Sequence, residues 1–142
     1  MIVDENLEFS DAQTLVAAAA EITSEDTVDL QVADPQYGAG TPLWLIVQVH
    51  TAVTCTATAD LQVDFKHSDD GSTWVDIVAA RSFSTTLDPL TKGGYLIVQP
   101  LPAALRRYLE LTYTPSATLD TGAVSAYISN CAPNTTIYGK LS

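Results

Sequence analysis

The sequence predicts an all-β fold: a single-domain antiparallel β-sandwich of about eight strands, the number expected of a jelly roll or a comparable sandwich. Three observations lead there. From Val28 onward, short apolar runs alternating with period two are separated by turns rich in Gly, Pro and Asp. Outside the N-terminal region, no stretch of about 12 residues keeps helical apolar spacing. Hydrophobic residues make up 46% and charged ones only 16%, too few for long solvated helices or disordered tails. The 142 residues suit one core.

The N-terminal segment, residues 1–26, is the least regular part. "SDAQTLVAAAAE" has helix propensity and a possible cap at Ser10 or Asp11, but a lone short helix needs tertiary packing to survive. It reads as an arm or irregular strand, ahead of the sandwich domain at 27–142. The first strand of that domain spans Val28 to Val32 and is closed by "ADPQYGAGTP", where Pro35, Gly38, Gly40 and Pro42 forbid ladder pairing. From Leu43 to about Thr54, Leu43, Leu45, Val47 and Val49 line one face. The other face starts with Trp44 and Ile46 and turns polar at Gln48 and His50, so another segment or a second subunit is expected over the tryptophan end.

Leu61, Val63 and Phe65 alternate with Gln62, Asp64 and Lys66, and "SDDGS" then joins this strand to an antiparallel partner at Thr73 to Ala80. Further strands are expected at Ser82 to Leu87, Tyr95 to Gln99, Arg107 to Thr114 and Gly122 to Asn130. No internal repeat suggests a propeller or a second domain.

The chemistry of known sites is missing. Lys+Arg number 6 against 17 Asp+Glu, a net charge of −11, and such a surface repels phosphate; no nucleic-acid partner is expected. The acidic N-terminal residues do not resemble an export signal, and no apolar run approaches the ~20 residues of a membrane span, so neither export nor a membrane is expected. Catalysis by Ser or Cys needs a base, and His50 and His67 lie in no nucleophile motif; GxSxG, HExxH and phosphate-cradling loops are absent. Cys55 and Cys131 belong to no CxxC and read as buried thiols. Asp60, Asp64, Asp69, Asp70 and Asp76 gather around one hairpin, but the spacing of a Ca²⁺ loop is not there, so they read as solvated acids. No catalytic residue, cofactor or metal is expected.

"HSDDGSTW" at 67–74 resembles the Asp-box turn of sialidases and related β proteins, S-x-D-x-G-x-T-W, with Asp69, Gly71, Thr73 and Trp74 in register and His67 in place of the first serine. In those proteins it is a structural hairpin turn away from catalysis. Asp accepts backbone N–H bonds, Gly takes a positive φ and Trp packs across the base. A single copy and few arginines set a sialidase aside.

A second resemblance covers most of the chain. The Met-Ile-Val-Asp opening, Ser10-Asp11-Ala12-Gln13, the Gly-x-Gly-x-Pro-Leu run at Gly38 to Leu43, Leu101-Pro102 followed by Arg107-Tyr108, and "TGAVSAYIS" resemble the small capsid cement, or decoration, proteins of tailed bacteriophages. The resemblance implies a jelly-roll fold, homo-oligomerisation and binding to the major capsid protein on the outside of an icosahedral shell. The implied location is the virion surface, reached from the host cytoplasm during assembly. Candidate capsid or subunit contacts are Ile2, Val3, Leu7 and Phe9 of the arm, together with Tyr37 and Trp44; the loops "DPQYGAGTP" and "DPLTKGG" are candidate contact regions. The arm equally fits completion of its own sheet. The alternative function is a carbohydrate-binding sandwich in which Trp44, Trp74, Tyr37 or Tyr95 stacks on sugar rings.

Overall fold

The computed structural model describes residues 7–16, 20–30, 43–56, 59–85, 90–102 and 105–129, with no side-chain description for 78–80. Nine strands lie among them: β1 Glu8–Thr14, β2 Ile22–Thr23, β3 Val28–Asp29, β4 Trp44–Thr54, β5 Asp60–Ser68, β6 Val75–Ser84, β7 Tyr95–Pro100, β8 Tyr108–Pro115 and β9 Thr121–Ser129. One sheet, here called sheet A, runs β1-β9-β4-β7; the other, sheet B, runs β2-β8-β5-β6, with β3 also paired to β8. Every described pairing is antiparallel. Since β2 and β3 share one neighbour, they occupy a single position, giving four positions per sheet. Only β5 and β6 are neighbours both in sequence and in a sheet; every other connection between positions crosses from one sheet to the other, which is the winding of a jelly roll.

Alternation builds the core. Leu45, Val47 and Val49 of β4 and Val124, Ala126 and Ile128 of β9 meet Leu61, Val63 and Phe65 of β5 and Leu109, Leu111 and Tyr113 of β8. Burying each such leucine or phenylalanine contributes roughly 1.5–3 kcal/mol. Phe9 of β1 and Phe65 of β5 meet edge to face across the two sheets, 6.1 Å between centroids at 85°.

Residues 8–14, expected as arm or irregular strand, form an edge of sheet A against β9. The register shifts between Glu8 and Ser10 and again between Ser10 and Gln13. Ala12 sits at φ 50°, a left-handed conformation that L-residues disfavour. That kink turns Ser10 and Gln13 inward together, and the Ala12 amide donates to Ser125 Oγ at 3.0 Å.

Three expected strands are corrected. The run Val28 to Val32 is a short strand ending at Asp29, and Ile22–Thr23 precedes it as a second short piece; residues 31–42 lie outside the described residues. The strands expected at Thr73 to Ala80 and Ser82 to Leu87 fall on one strand, β6 Val75–Ser84, whose register against β5 slips twice between Val63 and Lys66; residues 86–89 lie outside the described residues. Bulges absorb the extra residues, so the alternation breaks where two strands had been read.

Candidate interaction surfaces

The 67–74 stretch is a turn built by side chains. Asp70 Oδ1 accepts the amides of Ser72 and Thr73, each at 2.8 Å, and the Ser68 hydroxyl at 2.9 Å. Ser68 Oγ in turn accepts the amides of Asp70 and Gly71. These donors hold the Asp70 carboxyl at a pKa of about 2, the Thr73 amide acting most strongly. Gly71 takes φ 76°, and a side chain there would meet the ring of Tyr108 at 3.8 Å.

Asp69, expected as the acceptor of this turn, is not: its exposed carboxylate instead reaches the Arg106 guanidinium at 3.6 Å. The acceptor lies one residue later, which displaces the register of the Asp-box resemblance. Thr73 joins through its amide, and Trp74 is half-buried outside the core cluster.

Next to the turn, Arg107 grips Asp29 of β3 through two bonds of 2.8 and 3.0 Å and lies 5.0 Å over the Tyr108 ring. The Arg106 amide donates to His67 Nδ1 at 3.2 Å. "RRY" thus ties the turn, β3 and β8 into one end of the sandwich.

The expected contact residues separate. Ile2, Val3 and Tyr37 lie outside the described residues. Leu7 is half-buried against the core. Phe9 is fully buried, so it is corrected from a surface contact to a core residue that joins the two sheets.

Trp44 is half-buried on the outward face of sheet A, where the register places Ile46 beside Tyr127 and Val98, and Gln48 beside Ser125 and Tyr95. Ile46 is 0% exposed although it lies outside the core cluster, and Tyr127 is 7% exposed, its hydroxyl pKa raised by burial and by the nearby Tyr95. Strands β9, β4 and β7, adjacent in sheet A, contain no Asp, Glu, Lys or Arg. Sheet B carries Asp29, Asp60, Asp64, Lys66, Asp76, Arg81 and Glu110 on its strands. Tyr127 and Val98 were missed in the sequence because nothing local says that β9 and β7 flank Trp44; the signal present was the lack of charge in all three runs.

Of the aromatic residues considered for sugar stacking, Trp44 and Tyr95 share sheet A, Trp74 belongs to the turn on sheet B, and Tyr37 is outside the described residues. Among the described residues, no group of three His, Cys, Asp or Glu side chains is placed to hold a metal ion. Asp64, expected to be solvated, is 7% exposed and accepts the Gln62 amide at 3.1 Å. His50 is exposed. Cys55, expected to be buried, is half-buried and donates its thiol to the Thr118 carbonyl; Cys131 is outside the described residues. No helix among the described residues is long and apolar enough to cross a membrane.

The family model described as Bbp16 matches residues 9–128, most of the chain and nearly all of the sandwich. No curated protein matches the sequence.

Proposed function

The chain belongs to the Bbp16 family, and we propose that it is a structural virion protein. In this reading it is a non-enzymatic jelly roll that binds the outer surface of an icosahedral phage shell and cements neighbouring major capsid subunits. The sequence resemblance to capsid cement proteins motivates the reading.

The observation that carries it is the charge-free run of sheet A. An antiparallel sheet with one face in water ordinarily alternates apolar and polar residues. On the side away from the core, strands β9, β4 and β7 instead carry Trp44, Ile46, Tyr95, Val98 and Tyr127 with no formal charge among them; Ile46 and Tyr127 are already buried within the chain, and Trp44, Tyr95 and Val98 are half-buried. Covering the part of this face that the chain leaves exposed, at Trp44, Tyr95 and Val98, desolvates no ion, and interface cores are depleted of charge for that reason. The net charge of −11 on the rest of the molecule keeps unbound copies apart.

Mixing the purified protein with cognate capsids and imaging them by cryo-electron microscopy tests the reading. Added density on the shell is expected, and bare shells at saturating protein defeat it. Val98→Glu on the edge strand β7 tests the face: decoration is lost while the melting temperature stays near that of the parent. Undiminished decoration would move the contact elsewhere.

One observation favours a second reading, a carbohydrate-binding module: Trp44 and Tyr95 share an uncharged face with Gln48 and Ser125. A glycan-array signal abolished by Trp44→Ala, together with bare capsids, would favour it.

A further inference from the structure

His67, next to last in β5, lies opposite Val75 of β6 and Leu109 of β8, and its ring reaches the loop ahead of β8. Its Nδ1 accepts the Arg106 amide at 3.2 Å, so the neutral ring carries its proton on Nε2. A protonated imidazole has no lone pair to offer at that position. The bond therefore exists only in the neutral state, and the segment it holds carries two of the chain's six cations.

We propose that His67 is a proton-operated latch on the 105–107 segment: protonation of the ring removes the acceptor for the Arg106 amide and releases the segment that presents Arg106 and Arg107. The segment is coupled to its surroundings. The Arg107 carbonyl accepts the Leu30 amide at 2.8 Å, and its guanidinium holds Asp29, so release loosens the docking of β3 as well.

The charged groups around the ring oppose one another. Burial and then the Arg106 guanidinium disfavour the imidazolium, while Asp69 of the turn favours it. Asp70 is committed to the turn amides and Arg107 to Asp29. Asp76 of β6 and Glu110 of β8 adjoin the cross-strand partners of His67. With the folded-state pKa lowered below 6.5, the latch contributes fully above that pH. Its contribution is lost as the pH falls from 6.5 through the lowered folded value. This inference does not depend on the capsid reading.

Nuclear magnetic resonance on the full chain tests it. The ¹⁵N shifts of His67 should report the Nε2–H tautomer at pH 7.5. The hydrogen-exchange protection factor of the Arg106 amide should fall below pH 6.5, by up to about tenfold per pH unit. In His67→Asn the side-chain oxygen accepts the same amide without titrating, so protection should become independent of pH between 7.5 and 5. An Nδ1–H tautomer, a titrating His67 with unchanged Arg106 protection, or the same pH dependence in a folded His67→Asn variant would each overturn the latch.

Discussion

At the scale of single residues, two adjacent aspartates with the same side chain do different work. Asp70 accepts two amides and a hydroxyl inside the turn, whereas Asp69 stands in solvent beside Arg106. Exposed ion pairs contribute about 0–1 kcal/mol, so the difference lies in the amide bonds. Asp70→Asn should lower the melting temperature at pH 7 and Asp69→Asn should leave it nearly unchanged, as read by calorimetry. The sign with pH follows from the depressed Asp70 pKa. Its contribution is full above the ordinary value of 3.8 and is lost as the pH falls through about 2. The pattern Asp-Asp-Gly marked the turn, but the choice between the two carboxylates depends on how the chain bends at Gly71 and where Ser68 points. Spacing alone does not contain that.

At the scale of elements, the seam between β1 and β2 is closed by polar groups. Ser10 Oγ donates to Gln13 Oε1 at 2.7 Å, which leaves the Tyr113 hydroxyl, 3.0 Å away, as the donor to Ser10. Gln13 also accepts the Glu25 amide at 3.0 Å and donates to the Thr23 carbonyl at 2.8 Å. Burial holds the Tyr113 hydroxyl far above the usual phenol range, so it remains a donor. Gln13→Ala strands several of these groups and should cost about 2–3 kcal/mol in urea unfolding. A result near zero would mean that water replaces the amide.

The outward side of sheet B holds a second buried polar pair. Glu110 is 8% exposed and its carboxyl pKa is raised by burial. Thr112, two residues along, has a buried hydroxyl with no hydrogen-bond partner among the described residues. A raised carboxylate pKa means that ionisation works against the fold as the pH climbs from the unfolded value to the folded one. Glu110→Gln should therefore raise the melting temperature at pH 7, with the gain vanishing at pH values below the ordinary carboxylate range. An equal shift at pH 3 would assign the effect to packing instead.

At the scale of the whole molecule, the core joins two sheets whose strands are far apart in sequence, and Phe9 and Phe65 bridge them. Phe9→Ala should cost about 3–5 kcal/mol, a large part of the 5–15 kcal/mol typical of a domain. Urea denaturation reads this directly; a change under 1 kcal/mol would return Phe9 to the surface role the sequence suggested. The same scale separates the charge: sheet B, the edge strand β1 with Glu8 and Asp11, and the segments between strands hold it, and three neighbouring strands of sheet A have none.

The sequence by itself determined the β class, the approximate strands from Leu43 onward apart from the two that fall on β6, the hairpin at "SDDGS" and the scarcity of charge. All of these follow from a two-residue period and from turn chemistry, which act over a few neighbouring residues. Tertiary structure alone decided that β9 and β7 flank Trp44, that Phe9 faces inward, that the Ser10–Gln13 stretch is a bulged edge strand, and that Asp70 rather than Asp69 closes the turn. Each of these depends on crossings between sheets or on one bulge, and a register shift of a single residue reverses which face a side chain joins.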